Sequence, residues 1–191
     1  IGFDNEVIVI QDLTLVTEMN KSSLAAKVKD IKPRGQTNLW GAILEAINIL
    51  DTREDKSRNS AIMAFTDGVP NLKPARGEVE TLKRLRVTKN FTAPIYTFGF
   101  GYNIEDKLLY DIAKYANGAT GHIPDGGMVA TVFVNFCATI LATVGMNFQL
   151  HVKSLAGKST DKLQNIVMGD YPSNYNSETQ MMVFDIGTIQ Y

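Results

Sequence analysis

Residues 61–71 read AIMAFTDGVPN, and this stretch decides how the rest of the chain is interpreted. Its first five residues are apolar without alternation, which is typical of a short strand buried on both faces of a parallel sheet. Thr66, Asp67 and Gly68 follow at once, so Asp67 is expected just past the carboxyl end of that strand. Open α/β sheets bind ligands at the carboxyl ends of their strands. The stretch therefore predicts a central strand with a polar site at its end.

Strand-like and helix-like segments alternate on both sides of this stretch. A β-rich run at residues 6–16 predicts a strand, and Thr17 can cap a helix that ends before Pro33. Apolar residues at helical spacing predict further helices at residues 39–50, 78–89 and 104–115. Short β-rich runs predict strands at residues 94–98 and 119–123. Such alternation is typical of a doubly wound, mainly parallel α/β sheet with helices on both faces.

After Gly145 the helical spacing gives way to β-rich runs. Residues 148–152, 166–168 and 181–186 predict strands, separated by polar turns such as residues 171–174. We therefore predict an α/β domain over residues 1–145 and the start of a β-rich segment over residues 146–191. A β-rich piece of about 45 residues is marginal alone, so it is expected to continue beyond Tyr191 or to pack on the first domain.

Composition and charge narrow the class of protein. A net charge of -1 offers no broad basic surface, which disfavours a nucleic-acid role. Cys137 is the only cysteine, which rules out an intrachain disulfide and favours a reducing compartment, so a cytoplasmic location is expected. Residues 126–149 carry no charge and are long enough to be tested as a membrane span. Their helical spacing of apolar residues instead predicts a buried amphipathic helix.

Two polar loops carry the candidate chemistry: residues 35–39, before a predicted helix, and residues 66–71, after the buried strand. The Thr37 hydroxyl and the Asp67 carboxylate are hard oxygen donors, which suit a Mg²⁺ ion that keeps several waters. Each loop also has a simpler interpretation, because Thr37 or Asn38 can cap the following helix and Asp-Gly is a common turn. The occurrence of both loops in this order favours a metal site.

Three segments are similar to the von Willebrand factor A family: GQTNLWGA at residues 35–42, AIMAFTDGVPN at 61–71 and IYTFGFG at 95–101. The likeness follows the family's order over residues 1 to about 145. It implies a metal-ion-dependent adhesion site in which Thr37 and Asp67 help to hold Mg²⁺, which binds an acidic side chain of a protein partner. The residues that the resemblance places beside this contact are Asn38, Gly68, Val69 and Asn71.

The chain departs from the family pattern at its start. The family's first metal motif, Asp-x-Ser-x-Ser, occurs nowhere in the 191 residues. Residues 1–3 resemble the family's second strand, so the resemblance places the first strand, the first helix and this motif N-terminal to Ile1. In the family's strand order, 3-2-1-4-5-6, the first strand lies between the strand at residue 1 and the strand at residue 61. We expect this gap to be filled by another segment or the sheet to collapse, and the chain not to fold independently, because unpaired buried backbone groups are costly.

The tail gives a narrower resemblance. Residues 181–191, MMVFDIGTIQY, resemble the β-rich segment that follows the A domain in some eukaryotic, often protistan, proteins. Some of those proteins also carry a U-box or a Hint autoprocessing domain. The resemblance implies a eukaryotic protein, and neither of those two domains lies within these 191 residues. A role as a subunit of a larger assembly is a separate expectation.

These patterns favour a protein-interaction module that uses a metal ion, and the alternative is a metal-independent structural or assembly module. An upstream Asp-x-Ser-x-Ser would decide between them. An enzyme is not expected, because Gly99-x-Gly101 lacks the third glycine of a dinucleotide motif and no nucleophile has a base beside it. Trp40, next to the first loop, is either an anchor for a partner or a packing residue at the helix start.

Overall fold

The computed structural model describes residues 1–32, 35–153, 168–169 and 171–190. The chain divides into two compact units, Ile1–Val132 and Phe133–Tyr191. The first contains a parallel sheet with helices and the second an antiparallel sheet. The predicted α/β fold with a β-rich extension is therefore confirmed.

The parallel sheet contains strands β3 (Ile62–Thr66), β4 (Ile95–Phe100) and β5 (Thr120–Ile123), in the order β3-β4-β5. β4 is central and its first five residues are buried, as expected for a strand covered on both faces. β3 pairs with β4 in parallel, with Thr66 opposite Gly99. Because of this register, the carboxyl ends of β3 and β4 lie at the same edge of the sheet.

Three helices of the first unit were predicted within a few residues: α2 (Leu39–Thr52), α3 (Glu78–Thr88) and α4 (Asp106–Tyr115). Apolar residues at helical spacing pack one face of α2 and one face of α4 into the core. The core residues with less than 2% exposure include Leu39, Ile43, Ile47, Leu82, Ile95, Phe98, Leu109, Ile112, Ala113 and Ala116. This core fixes the start of α2 relative to the sheet, and with it the loop that carries Thr37.

The N-terminal segment differs from its prediction. β1 (Gly2–Phe3) and β2 (Val7–Ile8) form a short antiparallel hairpin, so the strand predicted over residues 6–16 is wrong beyond Ile8. An alternating pattern forms a strand only where a neighbour supplies hydrogen bonds, and β2 has only two residues of β1 beside it. Helix α1 (Lys21–Lys29) follows, four residues after the predicted cap, and none of its residues is buried.

A cleft lies between this hairpin and the parallel sheet. Among the described strands, β1 pairs only with β2, and β3 is an edge strand. A cavity of about 1090 Å³ is lined by apolar residues of the hairpin, such as Phe3 and Ile8, and of the sheet, such as Phe65 and Phe98. A cavity separates the hairpin from β3, so the expectation of a filled gap or a collapsed sheet is wrong for the described residues.

Helix α5 (Val129–Leu141) follows a 3₁₀ turn at Gly126–Met128 and lies where a helix was predicted. Its predicted burial is wrong, because none of its residues is buried and Phe133 is 42% exposed. Helical spacing identifies an apolar face but does not determine whether another element covers it. No helix in the described part of the chain combines the length and apolar character needed to cross a membrane.

The second unit contains strands β6 (Thr143–Lys153), β7 (Ser173–Asn176) and β8 (Met181–Gln190), in the antiparallel order β6-β8-β7. β6 and β8 include the strands predicted at residues 148–152 and 181–186, whereas β7 begins within the turn predicted at residues 171–174. Most of the strand predicted at residues 166–168 lies outside the described residues. The division into units falls within α5, at Val132, and the domain boundary at residue 145 stays a prediction.

Candidate functional site

Asp67 is the first residue after β3 and lies at the edge of the sheet. Thr66 stabilises the turn, because its hydroxyl donates to the Gly68 carbonyl at 3.2 Å and lies 3.4 Å from the Gly68 amide nitrogen. Asp67 is exposed, and no described residue forms a hydrogen bond or an ion pair with its carboxylate. We call residues 67–71 the aspartate loop. Its carboxylate is available for a ligand.

The threonine loop, residues 35–38, is anchored to the turn of the N-terminal hairpin. The Gln36 amide donates to Asn5 Oδ1 at 2.6 Å. The Asn38 amide donates to the Asp4 carbonyl at 2.8 Å. The hairpin therefore holds the loop on both sides of its central residue.

The threonine loop and the aspartate loop also contact each other. The Thr37 amide donates to Asn71 Oδ1 at 2.8 Å, and the Asn71 amide donates to the Thr37 carbonyl at 3.2 Å. A Cβ added at Gly68 would lie 3.2 Å from Thr37 Oγ1, so the hydroxyl packs closely over the glycine. Thr37 and Asp67 line the same cavity. The structure thus brings together two residues that were predicted from separate loops.

The residues predicted to flank a partner differ in how their side chains are used. Asn38 Oδ1 accepts the Gly41 amide at 3.0 Å and so caps α2, as the simpler interpretation of this loop expected. The Asn71 side chain is bonded to the threonine loop. Gly68 and Val69 lie directly after Asp67, and Val69 is 41% exposed. The role of these four residues toward a partner stays a prediction, and Gly68 and Val69 are the two whose position suits it best.

The donors in the cavity suit a hard divalent cation without completing its coordination. A hydroxyl and a carboxylate are oxygen ligands that Mg²⁺ accepts, and Mg²⁺ usually keeps several waters beside them. Thr37 Oγ1 has no hydrogen bond to a described residue. Among the described residues, no group of three or more His, Cys, Asp or Glu could hold a metal ion. The two residues therefore fit a site that needs further ligands from outside these loops.

Asp4 is a cavity residue that sequence reasoning missed. It is 9% exposed, and its Oδ1 accepts the Glu6 amide at 2.7 Å in the hairpin turn. The signal was present in the sequence, since Asp4 and Asn5 follow a strand end just as Asp67 follows β3. Asp4 places a second carboxylate in the same cavity.

An ion pair braces the segment that follows the aspartate loop. Lys73 Nζ lies 2.9 Å from Glu105 Oε2, next to the start of α4. The hydrogen bond to Glu105 raises the pKa of Lys73, so the ammonium remains charged at neutral pH. The pair was not predicted, because 32 residues separate the two side chains along the chain. It links the loops that follow two adjacent strands.

The glycines and the tryptophan near the site have structural roles. Trp40 is buried within the core, which confirms that it packs the start of α2. A Cβ at Gly99 would overlap the Ile104 side chain, and Gly101 has a φ of 74°. Gly99 lies within β4 and allows close packing, whereas Gly101 follows the strand and adopts a left-handed turn conformation.

Comparisons with known proteins agree with the family resemblance of the sequence. The family model of the von Willebrand factor type A domain matches residues 1–127. The chain is 30% identical over 127 residues to inter-alpha-trypsin inhibitor heavy chain H3 of Bos taurus, covering 63% of this chain and 14% of that protein. It is 25% identical over 170 residues to the Rattus norvegicus protein of the same name, covering 86% of this chain and 18% of that protein. The chain spans less than a fifth of the length of these relatives.

A solved structure shares the fold. A von Willebrand factor type A protein from Catenulispora acidiphila superposes with a TM-score of 0.69 at 15% sequence identity. The match covers 94% of this chain and 42% of that one. It therefore extends over nearly all of this chain.

Proposed function

Because the chain belongs to the von Willebrand factor type A domain family, we propose that it is a protein-interaction module that uses a metal-ion-dependent adhesion site. Domains of this family commonly bind proteins and are generally not enzymes. In the proposed mechanism, Thr37 and Asp67 hold Mg²⁺ at the edge of the parallel sheet. The bound ion supplies an open coordination position for an acidic side chain of a protein partner.

The observation that carries the proposal is the convergence of Thr37 and Asp67 on one cavity. Both oxygen donors lack a protein partner among the described residues, whereas the backbone amides around Thr37 are bonded. If the threonine loop only capped α2, the Thr37 hydroxyl would accept a backbone amide at the start of the helix. Asn38 Oδ1 accepts that amide instead. The hydroxyl and the carboxylate are thus the groups that the site offers to a cation.

The rest of the proposed site follows from the family resemblance. An Asp-x-Ser-x-Ser motif N-terminal to Ile1 would supply the remaining protein ligands for Mg²⁺. Asn38, Gly68, Val69 and Asn71 would flank the carboxylate of the partner. The resemblance of residues 181–191 supports a eukaryotic origin, and the single cysteine supports a cytoplasmic setting. In the alternative, metal-independent function, the module is a subunit of a larger assembly.

Titration of the intact protein with Mg²⁺, followed by calorimetry, tests the mechanism. We expect Asp67→Ala to weaken Mg²⁺ binding by about 100-fold or more, because losing even a supporting group around a metal costs about 10–100-fold. Asp55→Ala removes a carboxylate from the exposed loop after α2 and should leave Mg²⁺ affinity unchanged. The thermal transition of Asp67→Ala should remain near that of the wild type, since Asp67 has no described partner to lose.

A second measurement separates the two module types. Binding of a protein partner should disappear in EDTA and return with added Mg²⁺. Partner binding that persists unchanged in EDTA would reject the adhesion-site mechanism in favour of a metal-independent assembly module.

A further inference from the structure

We infer that Asn71 is a positioning residue that fixes the Thr37 hydroxyl relative to Asp67, and that it is not a contact for a partner. The inference rests on the proposed function, because it concerns the residues proposed to hold the cation. It replaces the role that the family resemblance implied for Asn71, which was to flank the partner.

Asn71 forms hydrogen bonds with both the amide and the carbonyl group of Thr37. Its Oδ1 accepts the Thr37 amide at 2.8 Å, and its own amide donates to the Thr37 carbonyl at 3.2 Å. Two hydrogen bonds between the same pair of residues restrict rotation as well as distance. The residues are 34 positions apart, so a local turn does not account for the pair.

The constraint on the backbone is passed to the side chain. Threonine is branched at Cβ, which restricts χ1, so its Oγ1 can take only a few directions once its backbone is oriented. The Thr37 hydroxyl lies against Gly68, the residue that follows Asp67. Holding the Thr37 backbone therefore sets the relation between the hydroxyl and the carboxylate, and Mg²⁺ requires near-ideal octahedral geometry from its ligands.

Other hydrogen bonds of the threonine loop connect it to the N-terminal hairpin and not to the aspartate loop. Asn5 and Asp4 hold Gln36 and Asn38 to the N-terminal hairpin, which does not include Asp67. In the described structure, the hydrogen bonds between the threonine loop and the aspartate loop are the two made by Asn71. The Asn71 side chain supplies one of them and is the part that a substitution can remove.

Hydrogen exchange at the Thr37 amide, measured by NMR in the intact metal-free protein, tests the positioning role. Asn71→Ala removes the side-chain acceptor and keeps the backbone bond, so we expect exchange at Thr37 to become about fivefold faster. Asn71→Asp keeps an oxygen acceptor and should restore slow exchange. Leu72→Ala changes the exposed residue directly after the aspartate loop and should leave exchange at Thr37 unchanged.

Mg²⁺ titration of the same proteins provides the second readout. We expect Asn71→Ala to weaken Mg²⁺ binding by about tenfold, as for a group that orients a metal ligand, while Leu72→Ala binds like the wild type. Unchanged exchange at Thr37 in Asn71→Ala would overturn the inference. Faster exchange with unaltered Mg²⁺ affinity would also overturn it, since the clamp would then not position a ligand.

Failure of the proposed function would be visible separately, as a wild-type protein that binds no Mg²⁺. In that case the exchange rates still decide whether Asn71 fixes Thr37.

Discussion

Thr37 and Asn38 are adjacent in the sequence, but the structure uses their side chains for different purposes. Asn38 Oδ1 accepts the Gly41 amide and begins α2. The Thr37 hydroxyl lies in the cavity, over Gly68. Either residue type caps helices, so the local sequence left both possibilities open. The long-range bond from the Thr37 amide to Asn71 decides between them, because it orients Thr37 away from the helix start.

Gly68 offers a sharp test of this arrangement at the scale of one residue. In Gly68→Ala the new Cβ would lie 3.2 Å from Thr37 Oγ1, closer than an ordinary van der Waals contact. The hydroxyl would have to move by a few tenths of an ångström, and we expect Mg²⁺ affinity to fall about tenfold. The melting temperature should change little, because Gly68 does not have a positive φ.

The matched control for this variant is Gly126→Ala, where an added Cβ meets nothing within 4 Å. It should bind Mg²⁺ like the wild type in the same calorimetric titration. Equal affinities for the wild type and Gly68→Ala would show that the Thr37 hydroxyl is not a ligand.

At the scale of the element, α2 depends on its cap. Asn38→Ala removes the acceptor for the Gly41 amide and the bond from Nδ2 to the Asn5 carbonyl. We expect a loss of about 1–2 kcal/mol in the free energy of unfolding, the usual range for an N-cap. Urea denaturation of the intact protein measures it, with Asn38→Asp as the control because its carboxylate still accepts from Gly41. If Asn38→Asp lowers the free energy of unfolding as much as Asn38→Ala does, the cap is not the source of the stability.

Elements that are identified by a local apolar pattern were predicted well from the sequence. β3 and α2 were predicted within two residues at each end, because a short apolar run and a continuous apolar stripe are local patterns, although only one face of β3 is fully buried. The strand at residues 6–16 and the burial of α5 were not, because each depends on whether a partner lies beside it. A sequence pattern indicates that a segment can pair with or pack against another element, but it does not show whether that element lies beside it.

The same distinction holds for the site. Thr37 and Asp67 were predicted together because the rule for parallel sheets places their loops at one edge. The roles of Asn71 and Asp4 were not, since they depend on hydrogen bonds between segments about 30 residues apart. Such contacts form only when the strands and helices are already in place.

At the scale of the first unit, the cleft between the N-terminal hairpin and the parallel sheet is the main irregularity. β3 is an edge strand although its sequence is typical of a central one. The larger cavity is lined by residues of both β1 and β3, and a second cavity of about 400 Å³ is lined by Phe3, α2 and β3. Apolar residues of the hairpin and of β3 thus face the same open space, where a further strand would bury them and pair the β3 edge.

This arrangement predicts how the chain unfolds. We expect the 191-residue chain alone to show no cooperative thermal transition by differential scanning calorimetry, because the β3 edge and its apolar neighbours have no covering element among the described residues. A protein in which a strand with its Asp-x-Ser-x-Ser motif is joined N-terminal to Ile1, as the proposed function requires, should unfold cooperatively. A proline at the middle of the added strand would remove a ladder hydrogen bond and should abolish the gain, whereas a valine there should keep it. Sharp cooperative melting of the 191-residue chain by itself would contradict the prediction and show that the cleft is compatible with a stable fold.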